Sequence, residues 1–178
     1  MAVTLEEPTD SRTEAAGGEL PCAARAGAVA PVVSVLIVTW NSAAWMERCL
    51  KALPAAFDDL PYEVIIHDNS SSDRTVAVIE SLADECTTLH AGTENRGFAG
   101  GLNQLVSAAR GSYVLSLNPD CEVAPGSLRR LVRYLDEHPD DAGAVPLLVD
   151  ATGRPQREFQ LRRLPTLSSL SAEIRGKL

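Results

Sequence analysis

The sequence is poor in aromatic residues, which make up 4% of its 178 residues, and it has no long hydrophobic run. Its longest apolar stretch, Val32 to Trp40, is interrupted by Ser34 and Thr39 and is far shorter than the ~20 residues of a membrane-spanning helix. The first 30 residues begin with acidic side chains and lack the basic and apolar segments of a signal peptide. Neither a membrane span nor a secretion signal is therefore predicted.

Positive charge and closely paired cysteines are also scarce. The formal net charge is -8, which disfavours a nucleic-acid-binding protein because neutralising phosphates requires a concentrated basic face. The four cysteines are widely spaced and form no CxxC motif, so neither a zinc knuckle nor a disulfide framework is indicated. A reducing, cytoplasmic setting is the resulting expectation.

The composition divides the chain into three parts. Ala, Gly and Glu dominate residues 1–31 without periodicity, which predicts a disordered tail. Residues 32–150 are predicted to form one folded domain, and the 45% hydrophobic content of the chain is sufficient for its core. Residues 151–178 form a basic C-terminal segment, which either contacts anionic lipid head groups or is a solvated tail.

Short β-branched runs alternate with helical patterns from Val33 onward. The predicted strands are residues 34–39, 63–67, 87–91, 113–117 and 144–149. The apolar stripes of the predicted helices are Met46, Cys49, Leu50 and Leu53; Val76, Ile79 and Ala83; Leu102, Leu105, Val106 and Ala109; and Leu128, Leu131, Val132 and Leu135. The first helix is expected to end before Pro54, and the third to follow residues 92–101. Such repeated strand–helix units predict an α/β fold with a Rossmann-like, right-handed wound, mostly parallel sheet flanked by helices.

Two carboxylates follow predicted buried strands. Asp68 ends one strand, and Asp120 follows another in the turn Asn118-Pro119-Asp120. Open α/β sheets bind ligands at the carboxyl ends of their strands, and a divalent cation that neutralises a diphosphate needs one or two carboxylates. The alternative is an ordinary polar turn, because Asn-Pro and Pro-Asp are common turn dipeptides.

A third segment, residues 94–103, contains glycines at positions 97, 100 and 101 and leads into a predicted helix. Glycines allow the backbone to approach a ligand closely, and the free N–H groups of a helix start favour anions. The alternative is a flexible loop. The spacing is not GxGxxG, so a Rossmann oxidoreductase is disfavoured.

Together these segments resemble the family 2 glycosyltransferases with the GT-A fold, most closely the rhamnosyltransferase-like branch, from about Val33 to about Leu164. The resemblance implies that donor-binding residues are Thr39, Trp40, Asn41, Asp68, Asn95, Arg96, Gly97, Asn103, Asn118 and Asp120. It also implies that Asp120 binds Mg²⁺ or Mn²⁺. For Trp40, a position in the core is an equal alternative.

The resemblance implies transfer of a sugar, rhamnose or a related hexose, from a dTDP- or UDP-linked donor to a hydroxyl of a lipid-linked or glycan acceptor. The resemblance also implies that the transfer inverts the configuration of the sugar. It further implies a role in cell-surface polysaccharide synthesis and a location in the cytoplasm or at the inner face of the plasma membrane. The segments that carry the catalytic base in such enzymes have no match in residues 154–178. The expectation is therefore the donor-binding part of a domain incomplete at its C-terminus, inactive alone. A non-catalytic nucleotide-binding or partner-binding module is the alternative.

Overall fold

The computed structural model describes residues 30–150 and 152–156. The chain divides into two compact units, one ending at Pro125 and the other beginning at Gly126. The predicted disordered tail, apart from residues 30 and 31, and the basic segment from residue 157 onward lie outside the described residues. Within the described part, no helix is both long and apolar enough to cross a membrane.

The first unit alternates strands and helices. Its elements are β1 (Val33–Thr39), α1 (Ala43–Phe57), β2 (Tyr62–Asp68), α2 (Thr75–Leu82), β3 (Thr87–Ala91), α3 (Gly97–Val106) and β4 (Tyr113–Ser116). The four strands are parallel and lie in the order β3-β2-β1-β4. The predicted α/β class with a wound parallel sheet flanked by helices is confirmed.

The positions of the two central strands explain why their short sequences are mostly apolar. Every residue of β1 and β2 is buried, as expected where helices cover both faces of a parallel sheet. Helix α3 covers one face, where Leu105 packs with Leu36 and Ile65. Helices α1 and α2 pack against each other. Because the strand order reverses after β3, the right-handed crossover rule puts these two helices on the face opposite α3.

A buried carboxylate near the start of β2 anchors the chain just beyond the carboxyl end of α3. Glu63 accepts hydrogen bonds from the Ser34 hydroxyl (2.6 Å), the Arg110 backbone N–H (2.8 Å) and Arg110 Nε (2.9 Å). Burial by itself raises the pKa of Glu63, but these hydrogen bonds and the charge of Arg110 outweigh it and hold the pKa below its usual range. The ionised carboxylate therefore links β1, β2 and the segment after α3.

Two predicted helix boundaries are wrong. Helix α1 continues through Pro54 to Phe57. Pro54 removes one helical hydrogen bond, but continuing the helix buries Ala56 and Phe57 completely. Helix α3 begins at Gly97, five residues before the predicted stripe, and ends at Val106, which is half exposed. Glycine has a low helix propensity, but the glycines at positions 97, 100 and 101 are helical here because Gly101 packs tightly against the sheet.

The second unit contains α4 (Ser127–Glu137), where Leu128 and Val132 are buried. The predicted fifth strand is wrong: residues 144–149 form no strand, and only an isolated antiparallel bridge joins Val149 to Pro155. Pro146 lacks the N–H that a strand interior needs. The cysteine expectation also needs a correction, because Cys86 is disulfide-bonded, whereas Cys49 and Cys121 are free thiols.

Candidate active site

The carboxyl ends of β2, β1 and β4 lie side by side. Thr39 at the end of β1 is in register with Asp68 at the end of β2. On the other side of β1, the Leu117 N–H extends the β4 ladder by donating to the Leu36 carbonyl (3.0 Å). Strand β4 ends level with Leu36, three residues before β1 and β2 end, so its end lies two strand spacings across the sheet and three residues along it from the end of β2, roughly 14 Å away. A nucleoside diphosphate is long enough to bridge that gap.

The turns that follow β1 and β2 are interlocked. Four backbone N–H groups donate across them: Asn41 to Ser71 Oγ (2.8 Å), Ser72 to Asn41 Oδ1 (2.9 Å), Ser42 to Thr75 Oγ1 (2.8 Å) and Ala43 to Asp73 Oδ2 (3.2 Å). Asn41 and Ser70 have positive φ angles of 50° and 62°. Because each turn satisfies the other's donors, the two turns form one rigid piece beside the strand ends.

Three predicted nucleoside contacts lie on this piece or next to it. Asp68 is 1% exposed, and Ser71 donates to both its carboxylate oxygens, to Oδ2 from the backbone N–H (2.8 Å) and to Oδ1 from the hydroxyl. Thr39 is equally buried, and its hydroxyl has no hydrogen-bond partner among the described residues. Trp40 is 57% exposed, which excludes the alternative of a core residue. The indole is thus free to stack on a base.

Asn69 lies directly after Asp68 and was not among the predicted site residues. Asn69 is 3% exposed; its Oδ1 accepts the Arg96 backbone N–H (3.2 Å), and its Nδ2 donates to the Gly97 carbonyl (3.2 Å). Asn95 Oδ1 accepts the Gly97 N–H (2.8 Å), and Gly97 has a φ of 71°, which favours glycine. The N–H groups of Arg96 and Gly97, which were expected to be free for an anion, are therefore already bonded within the protein.

The side chains of this segment point away from the core. Arg96 is half exposed, and its guanidinium donates from Nε to Glu94 Oε1 (2.9 Å). Asn103 is exposed on α3. Glu94 Oε1 contacts Nε and Nη2 of Arg96, so the remaining N–H donors of the guanidinium are the ones that can bind a phosphate while this ion pair persists.

Two glycines in the same segment serve packing. A Cβ atom on Gly101 would lie 2.8 Å from Val38 Cγ1 and 2.9 Å from His67 Cδ2, and a Cβ atom on Gly92 would lie 2.7 Å from the Asp68 carbonyl oxygen. Gly101 therefore allows α3 to lie directly on β1 and β2. The buried His67 ring under these glycines has no hydrogen-bond partner among the described residues.

The turn after β4 presents one exposed carboxylate. The Asn118 carbonyl accepts the Cys121 N–H (3.1 Å), which closes the turn and leaves Asp120 exposed. Burial raises the pKa of the Cys121 thiol, and the charge of Asp120 raises it further. Burial likewise raises the pKa of Cys49, whose thiol faces the Asn118 carbonyl, to about 12. Neither thiol is therefore activated as a nucleophile.

A metal site built from protein ligands alone does not fit this turn, because the described residues contain no group of three or more His, Cys, Asp or Glu that could hold a metal. A cation shared with a diphosphate does fit. Mg²⁺ usually keeps several waters and is bound by one or two carboxylates together with substrate phosphates. The exposed Asp120 has the ligand chemistry for such a shared site.

A cavity of about 160 Å³ lies elsewhere, between α1, α2 and the starts of β2 and β3. Lys51, Tyr62, Asp84 and Thr87 are among its lining residues. It is at the amino ends of the strands, so it is separate from the turns described above.

The parallel sheet, its strand order and the polar turns at its carboxyl edge define an α/β domain of the GT-A glycosyltransferase fold. A mannosyltransferase from Pyrobaculum calidifontis, solved in complex with GDP-Man and Mn²⁺, is similar at a TM-score of 0.55 and 30% identity, over 59% of this chain and 32% of that one. The Staphylococcus aureus protein TarS in complex with UDP gives a TM-score of 0.54 at 25% identity, over 64% and 38% of the two chains.

The chain belongs to glycosyl transferase family 2, whose model matches residues 34–172. A succinoglycan biosynthesis protein of Rhizobium meliloti is 33% identical over 146 residues, which are 78% of this chain and 40% of that protein. A GalNAc(5)-diNAcBac-PP-undecaprenol β-1,3-glucosyltransferase of Campylobacter jejuni is 29% identical over 146 residues, 79% of this chain and 46% of that protein. The chain thus spans less than half the length of these two relatives.

Proposed function

We propose that this chain binds the nucleotide-sugar donor of a glycosyltransferase that transfers a sugar to a hydroxyl group. The observation that carries the proposal is the carboxyl edge of the sheet formed by β1, β2 and β4, with the exposed Trp40 directly after β1 and the exposed Asp120 in the turn after β4. The family supports it, as does the similar mannosyltransferase structure with a nucleotide sugar and a divalent cation.

In this proposal each element of the site has one task. Trp40 stacks on the base, and the unpartnered Thr39 hydroxyl hydrogen-bonds the nucleoside beside Asp68. Arg96 and the start of α3 face the diphosphate, with Asn95 and Asn103 next to them. Asp120, beside Asn118, holds a divalent cation, Mg²⁺ or Mn²⁺, against the phosphates. The cation supplies charge neutralisation for the diphosphate as the sugar leaves.

The finer identity of donor and acceptor follows from the resemblance to the rhamnosyltransferase-like branch. We propose a dTDP- or UDP-linked hexose, with rhamnose as the first candidate, and a lipid-linked acceptor in polysaccharide synthesis at the cytoplasmic side of the membrane. A lipid-linked acceptor is also consistent with the undecaprenol in the name of the Campylobacter jejuni relative. The residues assigned above bind the donor and include no base for the acceptor hydroxyl. We therefore expect the 178 residues alone to bind the donor without detectable transfer.

The test of this proposal is calorimetry with UDP, dTDP and GDP, with and without Mn²⁺. Asp120→Asn removes the charged ligand with little change in shape, and the loss of a few kcal/mol weakens Mn²⁺-dependent binding roughly a hundredfold. Glu122→Gln is the matched control, because Glu122 lies in the same loop and pairs with Arg48. Unchanged metal-dependent affinity of Asp120→Asn contradicts the metal assignment. Robust sugar transfer by the purified chain contradicts the expected inactivity.

A further inference from the structure

We infer that Asn69 is a positioning residue for the donor diphosphate, and that it acts by fixing the backbone of Arg96 and Gly97. The inference rests on the proposed function, because it assumes that the segment containing Arg96 meets the phosphates. It adds a residue that the resemblance did not assign and states how that residue works. Asn69 itself need not touch the ligand.

The contacts of Asn69 match the chemistry of a side-chain amide. One end accepts the Arg96 N–H and the other donates to the Gly97 carbonyl, both at 3.2 Å. Only a side chain with a donor and an acceptor side by side satisfies both backbone groups. Asn69 is 3% exposed, and its backbone N–H donates to the Thr39 carbonyl (2.8 Å). The amide is therefore held by the sheet and in turn holds the segment.

The two residues that Asn69 holds are the ones where the chain turns into α3. Arg96 is the residue before the helix, and Gly97 has a left-handed φ of 71°. Fixing this peptide fixes the point from which the Arg96 side chain leaves the backbone. Because the Gly97 N–H is itself bonded to Asn95 Oδ1, the groups left to favour an anion are the N–H groups that follow Gly97 in the first turn of α3, and their direction is fixed with this peptide.

Within the described part of the chain, few other contacts restrain this segment. Residues 93–99 are all exposed, Phe98 is 51% exposed, and the ion pair between Arg96 and Glu94 lies within the segment itself. The next firm attachments are the Gly92 N–H, which donates to the Asp68 carbonyl (2.8 Å), and the buried Gly101. Without Asn69, the residues between these two points have to become ordered when the ligand binds, which lowers affinity.

A double-mutant cycle tests the inference. Binding of UDP and dTDP with Mn²⁺ is measured by calorimetry for the unmodified chain, Asn69→Leu, Arg96→Gln and the double variant. Each single change is expected to weaken binding about tenfold, the size of one hydrogen bond to a charged group. Because Arg96 acts only when Asn69 positions it, the double variant is expected to be no weaker than either single variant. Asn69→Ala replaces Asn69→Leu in the cycle if the larger apolar side chain prevents folding.

Two further measurements separate positioning from general loss of structure. Uridine and thymidine, which carry no phosphate, are expected to bind Asn69→Leu as they bind the unmodified chain in an NMR titration. Hydrogen exchange of the Arg96 amide is expected to accelerate in Asn69→Leu, while the amides of β1 stay protected. Additive effects of the two substitutions, or equal losses for uridine and UDP, overturn the role of Asn69. If the unmodified chain binds no nucleoside diphosphate, the proposed function itself is wrong, whereas the exchange measurement still reports on the contact.

Discussion

Replacing Glu63 by Gln is expected to destabilise the fold at neutral pH and to leave the donor site intact. Glu63 Oε1 accepts the Ser34 hydroxyl and the Arg110 N–H, and Oε2 accepts the Arg110 guanidinium. A glutamine can keep its oxygen toward Ser34 and the N–H but then presents an NH₂ group to the guanidinium. Arg110 is 66% exposed, so water compensates part of this loss. The expected decrease in unfolding free energy is about 1–2 kcal/mol.

The sign of the pH dependence follows from the lowered pKa of Glu63. The ionised group stabilises the fold above its ordinary pKa of 4.5, and this contribution disappears as the pH falls through the lower pKa of the folded state. Urea denaturation of the unmodified chain and of Glu63→Gln should therefore differ most at pH 7 and converge in acid. Glu80→Gln, an exposed glutamate on α2, is the control. Equal stability of the Glu63→Gln variant and the unmodified chain at pH 7, or a gap that persists in acid, would refute this reasoning.

The other predictions concern the site and its packing. Trp40→Ala is expected to weaken UDP or dTDP binding by roughly 5- to 150-fold, because stacking on a base contributes ~1–3 kcal/mol. Since Trp40 is 57% exposed, stability should change little; calorimetry and urea denaturation measure both, with Trp45→Ala as the control. Gly101→Ala is expected to destabilise by about 1–3 kcal/mol, because its methyl group would overlap Val38 and His67. Gly143→Ala, which has open space around it, should be neutral in the same denaturation assay, and equal stability of the two variants would contradict the packing argument.

The sheet could be predicted because its signals are local. The apolar runs of β1 and β2 reflect burial on both faces, and the β4 run also ends in a polar turn. The wrong predictions arose where tertiary contacts override a local sequence signal. Pro54 predicts a helix end, but burial of Phe57 extends α1 past it. The apolar residues 144–149 predict a strand, but the described part of the chain offers them no ladder partner beyond one isolated bridge.

The site could be predicted as a set of strand ends but not as a set of contacts. The sequence brings Asp68 and Asp120 to one edge because parallel strands end together. It does not reveal that Ser71 occupies both oxygens of Asp68, or that Asn69 reaches a backbone 27 residues away. Such partners depend on the register of β1 and β2 and on the crossing of α3. Whether the predicted donor-binding residues contact a ligand stays a prediction.

The two attachments from β2 to the α3 region limit which length changes the protein can accept. Glu63 near the start of β2 and Asn69 directly after its end are six residues apart, about 20 Å, and they hold Arg110 and Arg96 at the two ends of the helical segment. One inserted residue in α3 shifts the rest of the helix by about 1.5 Å and rotates it by about 100°, so the two attachments cannot both be kept. Related sequences should therefore vary α3 by substitution and not by insertion or deletion. Length variation is expected at residues 93–95, which are exposed and precede the Asn69 contact.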